Sequence, residues 1–190
     1  MEALEQKILC EGTVLGSDIL KVGSFLNQQL DVDFLLSMGK EVERIYKGAE
    51  ITKILTIEAS GIAVAVAVAA VLRKNVVFAK KSRTSNMSGE VYSAKVHSFT
   101  HGTDCLITVP KDYIGKGDKI LIIDDFLANG EALRGLIGIV EQADAEVVGC
   151  TCVIEKGFQG GGDKLRKEGY RVESLAVIEK MSPEGIEFRH

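Results

Sequence analysis

The chain is 190 residues long, the size of one compact unit rather than of a unit joined to a second large module. Apolar residues make up 46% and charged residues 26%, ordinary globular usage that argues against a disordered or fibrous protein. The net charge of -4 lacks the basic balance that a phosphate backbone rewards, so a dedicated nucleic-acid binder is disfavoured while a local basic cluster for phosphate is not.

Residues 1–12 are amphipathic and carry Glu2, Glu5, Lys7 and Glu11, without the apolar core of a secretory signal, so a cytoplasmic location is expected. Asp31 then caps "VDFLLSMGKEVERIYKG", whose apolar positions Val32, Leu35, Leu36, Val42, Ile45 and Tyr46 predict a helix of about four turns with Gly48 as its stop. Lys53 to Ile57 reads as a strand, Glu58-Ala59-Ser60-Gly61 as a turn, and Ile62 to Leu72, "IAVAVAVAAVL", as a buried helix. That run of 11 residues is well short of the ~20 that cross a bilayer. "NVVFAKK" closes a strand-helix-strand unit, for which parallel pairing is expected.

The polar stretch from Ser82 to Glu90 has no apolar periodicity. "VYSAKVHSFT" and "DCLITVP" alternate around His101-Gly102-Thr103 and predict a hairpin. A strand follows from Lys119 to Asp124, then a helix from about Gly130 to Ala143, a buried strand in "EVVGCTCVIEK", and another in "YRVESLAVIEK" after a glycine-rich turn and a short helix. Gly160-Gly161-Gly162 reads as a flexible joint. The expected fold is therefore α/β: an open, mostly parallel twisted sheet with flanking helices and an inserted antiparallel hairpin. Cys10, Cys105, Cys150 and Cys152 fit no paired metal spacing and are read as reduced core thiols, with Cys150 and Cys152 on one face of a strand.

The stretch with most chemistry is "KILIIDDFLANGEALRGL", Lys119 to Leu136. It sets two acids, Asp124 and Asp125, where a strand is expected to end, the place where open α/β sheets bind ligands. Adjacent ionised carboxylates repel, and this becomes tolerable where they accept ligand hydroxyls or help hold a cation. Ala128, Asn129, Gly130, Glu131 and Ala132 then make a turn of mostly small residues into a helix start, whose N–H groups suit a phosphate. Together these features suit a sugar phosphate. The residues alone leave open the plainer alternative of an acidic strand end followed by an ordinary helix.

The stretch resembles the phosphoribosyl diphosphate (PRPP) motif of type I phosphoribosyltransferases, and the form "LIIDDFLANG" is similar to that of the xanthine-using members of this family. Further matching blocks run in order along the chain: "ILKVGSFLNQQLD", "ITKILTIEASGIA" and "VIEKGFQGGGDKLRKEGYRVESLA". The resemblance implies transfer of a 5-phosphoribosyl group from PRPP to xanthine, giving xanthosine 5′-monophosphate and diphosphate in purine salvage. Preference for hypoxanthine, guanine or adenine, or a non-catalytic PRPP sensor controlling purine genes, are the alternatives.

By the same resemblance, Asp124 and Asp125 hold the ribose, and Ala128, Asn129, Gly130, Glu131 and Ala132 hold the 5′-phosphate. Ser60 and Gly61 bind diphosphate with Lys81, alongside Lys80 and Arg83, and 82–90 is a lid. Leu20, Asn27 and Lys156 meet the purine, Phe126 and Phe158 are possible stacking surfaces, and the first ~50 residues form a hood with the C-terminal segment. Mg²⁺ is expected to arrive as the PRPP complex without a dedicated protein site. A homodimer is expected, with neither nucleic acid nor membrane as partner. The chain departs from the family at Asn129 and Ala132, where hydroxyl residues are common, and at Ala128, where hypoxanthine-type relatives place an acid. Backbone amides must therefore carry more of the phosphate, and the purine must be read elsewhere.

Overall fold

In a computed structural model, the chain is described for residues 1–81, 89–98 and 103–190. Most of the expected lid, with Arg83, and His101 and Gly102 of the hairpin turn lie outside these residues. The chain opens with helix α1 (Glu2–Glu11), which turns Leu4 and Ile8 inward. Strands β1 (Thr13–Leu15) and β2 (Ile19–Lys21) pair antiparallel, and a π-helical turn covers Gly23–Asn27. The sequence predicts neither feature, because three-residue strands carry too little alternation to read.

Helix α2 (Val32–Ile45) starts where predicted: the Asp31 carboxylate accepts the Phe34 N–H at 3.1 Å. It ends three residues before Gly48, whose φ of 84° turns the chain afterwards. Strand β3 (Lys53–Ile57), helix α3 (Ser60–Leu72) and strand β4 (Asn75–Ala79) form the expected unit, with β3 and β4 parallel from Lys53 opposite Asn75 to Ile57 opposite Ala79. α3 buries Val64, Ala65 and Val68 but leaves Val66 exposed. Among the described residues no helix is long and apolar enough to cross a membrane.

The hairpin of β5 (Val91–Ser98) and β6 (Thr103–Pro110) follows. Next come β7 (Lys119–Leu127), α4 (Glu131–Gln142), β8 (Glu146–Lys156), α5 (Gly161–Lys167), β9 (Val172–Ser182) and β10 (Gly185–Phe188). The main sheet has the order β10-β9-β8-β7-β3-β4, parallel throughout except for the edge strand β10. Along β7 the two faces alternate: Leu121 and Ile123 join the core under α2 and α3, whereas Ile120 and Ile122 join the core under α4. The hairpin rests on α4 at Gly135, where a Cβ would fall 2.4 Å from Val96 Cγ2.

The chain moves outward from β3 to β4 on one side, then returns to lay β7 against the other side of β3 and continues through β8 and β9. The order thus reverses between β3 and β7, and ligands of open α/β sheets bind beyond the carboxyl ends of strands at such a reversal.

Three expectations need correction. Asp124 and Asp125 do not end their strand: β7 runs on to Leu127, because β8 is long enough to pair with it as far as Glu155, while β3 pairs only as far as Ile122. Gly160-Gly161-Gly162 is not a loose joint, since Gly161 and Gly162 are buried in the first turn of α5. Cys150 and Cys152 are core thiols as expected, but Cys10 is exposed on the outer face of α1 and Cys105 is half-buried.

Candidate active site

Two turns meet across the reversal. Leaving β3, the Glu58 N–H donates to Ala79 O at 3.1 Å and its Oε1 accepts the Lys81 N–H at 2.6 Å, which ties the first turn to the end of β4. Ser60 and Gly61 then open α3. A Cβ on Gly61 would lie 2.5 Å from Thr56 Oγ1 and 3.0 Å from Asp124 Oδ1, so only glycine lets the helix start come this close to the acid. Leaving β7, Ala128 and Asn129 lead to Gly130, left-handed at φ 87°, from which α4 begins. The first N–H groups of a helix have no partner within it, and here they open beside Asp124 and Asp125.

The two turns line a cleft of about 240 Å³ that includes Ser60, Gly61, Lys81, Asp124, Asp125 and the whole 128–132 turn. A larger cleft, about 610 Å³, lies at the opposite, amino end of the strands between Lys40, Arg44, Lys47 and Lys74. It contains none of the residues singled out from the sequence as ligand contacts, so the smaller cleft is the candidate site.

Asp124 is buried, and its Oδ1 accepts the Asp125 N–H at 2.9 Å. Burial, and then the adjacent Asp125 charge, push the Asp124 carboxyl well above the usual carboxylate range; its one backbone bond and the nearby Lys81 only partly oppose this. A buried acid in this state is poised to engage hydroxyls or an arriving cation. Asp125 is less buried, and its Oδ2 accepts the Asn27 amide at 2.8 Å.

That bond ties the N-terminal segment to the acid pair. Asn27 ends the π-helical turn, and Lys156 ends β8, with its Nζ donating to Asp18 O at 2.6 Å and standing 5.7 Å from the Phe126 ring centroid. Burial lowers the Lys156 pKa against the raising effect of Asp18. Leu20 is 7% exposed and belongs to the same core cluster as Val22, so its side chain is packed inward. Phe126 is half-buried and Phe158 is 40% exposed.

The sequence singles out neither Thr56 nor Asp18, and treats the glycine triplet only as a joint. Thr56 Oγ1 is buried without a hydrogen-bond partner among the described residues, at a strand position that reads as ordinary core. Among the described residues no three His, Cys, Asp or Glu side chains converge as a metal site.

Comparison with known proteins identifies the family. A sequence model of the phosphoribosyl transferase domain matches residues 36–187. The xanthine phosphoribosyltransferase of Clostridioides difficile (strain 630) is 52% identical over 190 residues, covering all of both chains. That of Heliobacterium modesticaldum is 53% identical over 188 residues, covering 99% of this chain and all of the relative. Among solved structures, the adenine phosphoribosyltransferase of Giardia lamblia complexed with 9-deazaadenine superposes with a TM-score of 0.78 at 22% identity, over 92% of this chain and 96% of that one. The Saccharomyces cerevisiae adenine enzyme gives 0.74 at 22% identity, over 92% and 99%; at such identities these two establish the fold alone. With the family matched over most of its length and full-length relatives above half identity, this chain belongs to the phosphoribosyltransferase family.

Proposed function

We propose that this protein transfers the 5-phosphoribosyl group of PRPP to xanthine, producing xanthosine 5′-monophosphate and diphosphate. The observation that supports the reading is the meeting of two strand-to-helix turns and an acid pair at the β3/β7 reversal, with Asn27 bonded to Asp125 and Lys156 standing 5.7 Å from the ring centroid of Phe126. Asp124 and Asp125 accept the ribose hydroxyls, and their charge favours the cation that develops on the sugar as the diphosphate bond breaks. The N–H groups of 129–132 hold the 5′-phosphate, and those of Ser60 and Gly61, with Lys81, hold the diphosphate. Lys156 faces an exocyclic oxygen of the oxopurine. Asn27 offers the ring edge both a donor and an acceptor.

Mg²⁺ enters as the PRPP complex: Asp124 and Asp125 are hard oxygen donors that suit it, but two carboxylates are too few to cage it. When bound, the ion offsets charge on the departing diphosphate. Residues 1–190 act as one phosphoribosyltransferase unit, working in the cytoplasm as a homodimer without nucleic-acid or membrane partners. Sedimentation showing a monomer at assay concentration would remove the dimer from this reading.

Diphosphate release measured with PRPP, Mg²⁺ and each purine in turn tests the function. The expected order has xanthine highest in kcat/KM; a higher value for hypoxanthine, guanine or adenine would reassign the base, and no product with any purine would leave a PRPP sensor.

A further inference from the structure

We infer that Gly161 is a positioning residue for the phosphate turn, and that the ion pair of buried Glu155 with Arg166 holds it in place. The inference rests on the reading of residues 128–132 as the 5′-phosphate site. The Gly161 N–H donates to Ala128 O at 3.2 Å. A Cβ on Gly161 would stand 2.3 Å from Ala128 O, 2.4 Å from Asn129 C and 2.6 Å from Gly130 N, all of them backbone atoms that no rotamer change can move. The approach is mutual: a Cβ on Gly130 would lie 3.5 Å from both Gly161 Cα and Gly161 O. Two main chains therefore touch here with no side chain between them. The place of the phosphate turn is set by a segment from a different crossover.

What fixes that segment is not α5 itself, whose seven residues are too few to be stable alone. Arg166 reaches from α5 to Glu155 through two bonds, Nη1 to Oε1 at 3.0 Å and Nη2 to Oε2 at 2.6 Å, and its Nε donates to Val172 O at 3.0 Å. Glu155 is fully buried and also accepts the Ser174 hydroxyl at 2.5 Å. Gly162 lies directly over this carboxylate, where a Cβ would be 2.1 Å from Oε1. A planar fork thus clamps α5 onto β8 and β9, and α5 in turn holds Gly161 against the phosphate turn. Glu155 precedes Lys156, so the strand that carries the base-facing lysine also carries this anchor.

Main-chain N–H groups bind phosphate well only over a few tenths of an ångström, and a displacement of about 1 Å costs on the order of 10²-fold in rate or affinity. Steady-state constants for Gly161→Ala and Arg166→Lys test the inference. Gly161→Ala is expected to raise the KM for PRPP by about 10- to 100-fold, with the KM for xanthine at saturating PRPP nearly unchanged. Arg166→Lys, which keeps the charge but loses the fork, shifts the PRPP constant in the same direction by less. Gly138→Ala in α4, where the added Cβ meets nothing within 4 Å, keeps wild-type constants.

Gly130→Ala separates the two layers of the argument. An unchanged PRPP constant in Gly130→Ala would remove 128–132 from the phosphate site and the inference with it. A raised constant in Gly130→Ala, with wild-type PRPP constants in Gly161→Ala and Arg166→Lys, would leave the site standing and overturn the positioning role. A lower Tm with unchanged PRPP KM would overturn it equally, and should Gly161→Ala fail to fold, Arg166→Lys decides.

Discussion

Replacing Gly61 by alanine tests whether the site depends on main-chain approach. The added Cβ would sit 2.5 Å from Thr56 Oγ1 and 3.0 Å from Asp124 Oδ1. An ordinary carbon–oxygen contact is roughly 3.4 Å, so the helix start must retreat by nearly 1 Å from Thr56 and by about 0.4 Å from Asp124. Thr56 cannot yield cheaply, because it is fully buried in β3 and its branched side chain is stiff at χ1. Misplacement of about 1 Å costs around 10²-fold, or ~2.7 kcal/mol of transition-state stabilisation. The assay is kcat/KM for diphosphate release at fixed xanthine, with Tm measured in parallel. The double variant Gly61→Ala with Thr56→Ala removes the nearest obstacle and is expected to recover much of the loss. Wild-type kcat/KM in Gly61→Ala, or a double variant no better than the single one, would refute the reasoning.

Asp124→Asn is expected to lower activity by about 10²-fold or more, because an amide cannot ionise when the sugar and its cation arrive and so cannot offer a charge to the transition state. It is also expected to raise Tm at neutral and alkaline pH. The sign follows from the raised Asp124 pKa: the folded state keeps a proton the unfolded state gives up, so the wild type loses stability as pH climbs from the ordinary carboxylate range through the raised value. A pH–Tm profile unchanged by the substitution would contradict this. Lys156→Ala should lower kcat/KM for xanthine by about 10- to 100-fold, the worth of a charged hydrogen bond, while PRPP binding measured by calorimetry stays near wild type. Equal loss for both substrates would take Lys156 away from the base. In thiol titration Cys10 should react first in the native protein, whereas Cys150, pushed up to about 12 by burial, and Cys152 should wait for unfolding. Fast modification of all four without denaturant would refute the burial.

Much of the scaffold was legible because its signals are local. The Asp31 cap, the Lys53–Ile57 strand and the apolar run before Arg73 each carry their own periodicity or stop, and the strand from Glu146 to Lys156 has the bounds read from the sequence. The misreadings come from effects that only a partner supplies. β7 outlasts its expected end because β8 continues beside it. The glycine triplet looks loose until the main chain of 128–130 arrives against it. Cys10 follows apolar Ile8 and Leu9, yet the turn of α1 puts it outside. Asp124 and Asp125 pointed to a ligand from their own chemistry, with an ordinary acidic strand end left as the alternative. Asn27 and Lys156 were singled out only through resemblance, since each reads as an ordinary surface residue until folding brings it to Asp125 or to the Phe126 ring.

The hydrogen bond from Asn27 to Asp125 makes one carboxylate oxygen serve two parts of the proposed reaction. A sugar diol that takes this oxygen must share it with the amide or displace it, and a purine that recruits the amide loosens its hold on the acid. Linkage is reciprocal, so whatever free energy the sugar gains or loses by the presence of the base, the base gains or loses by the presence of the sugar. Affinities for the two substrates, each measured alone, would therefore not add up to the affinity of the pair.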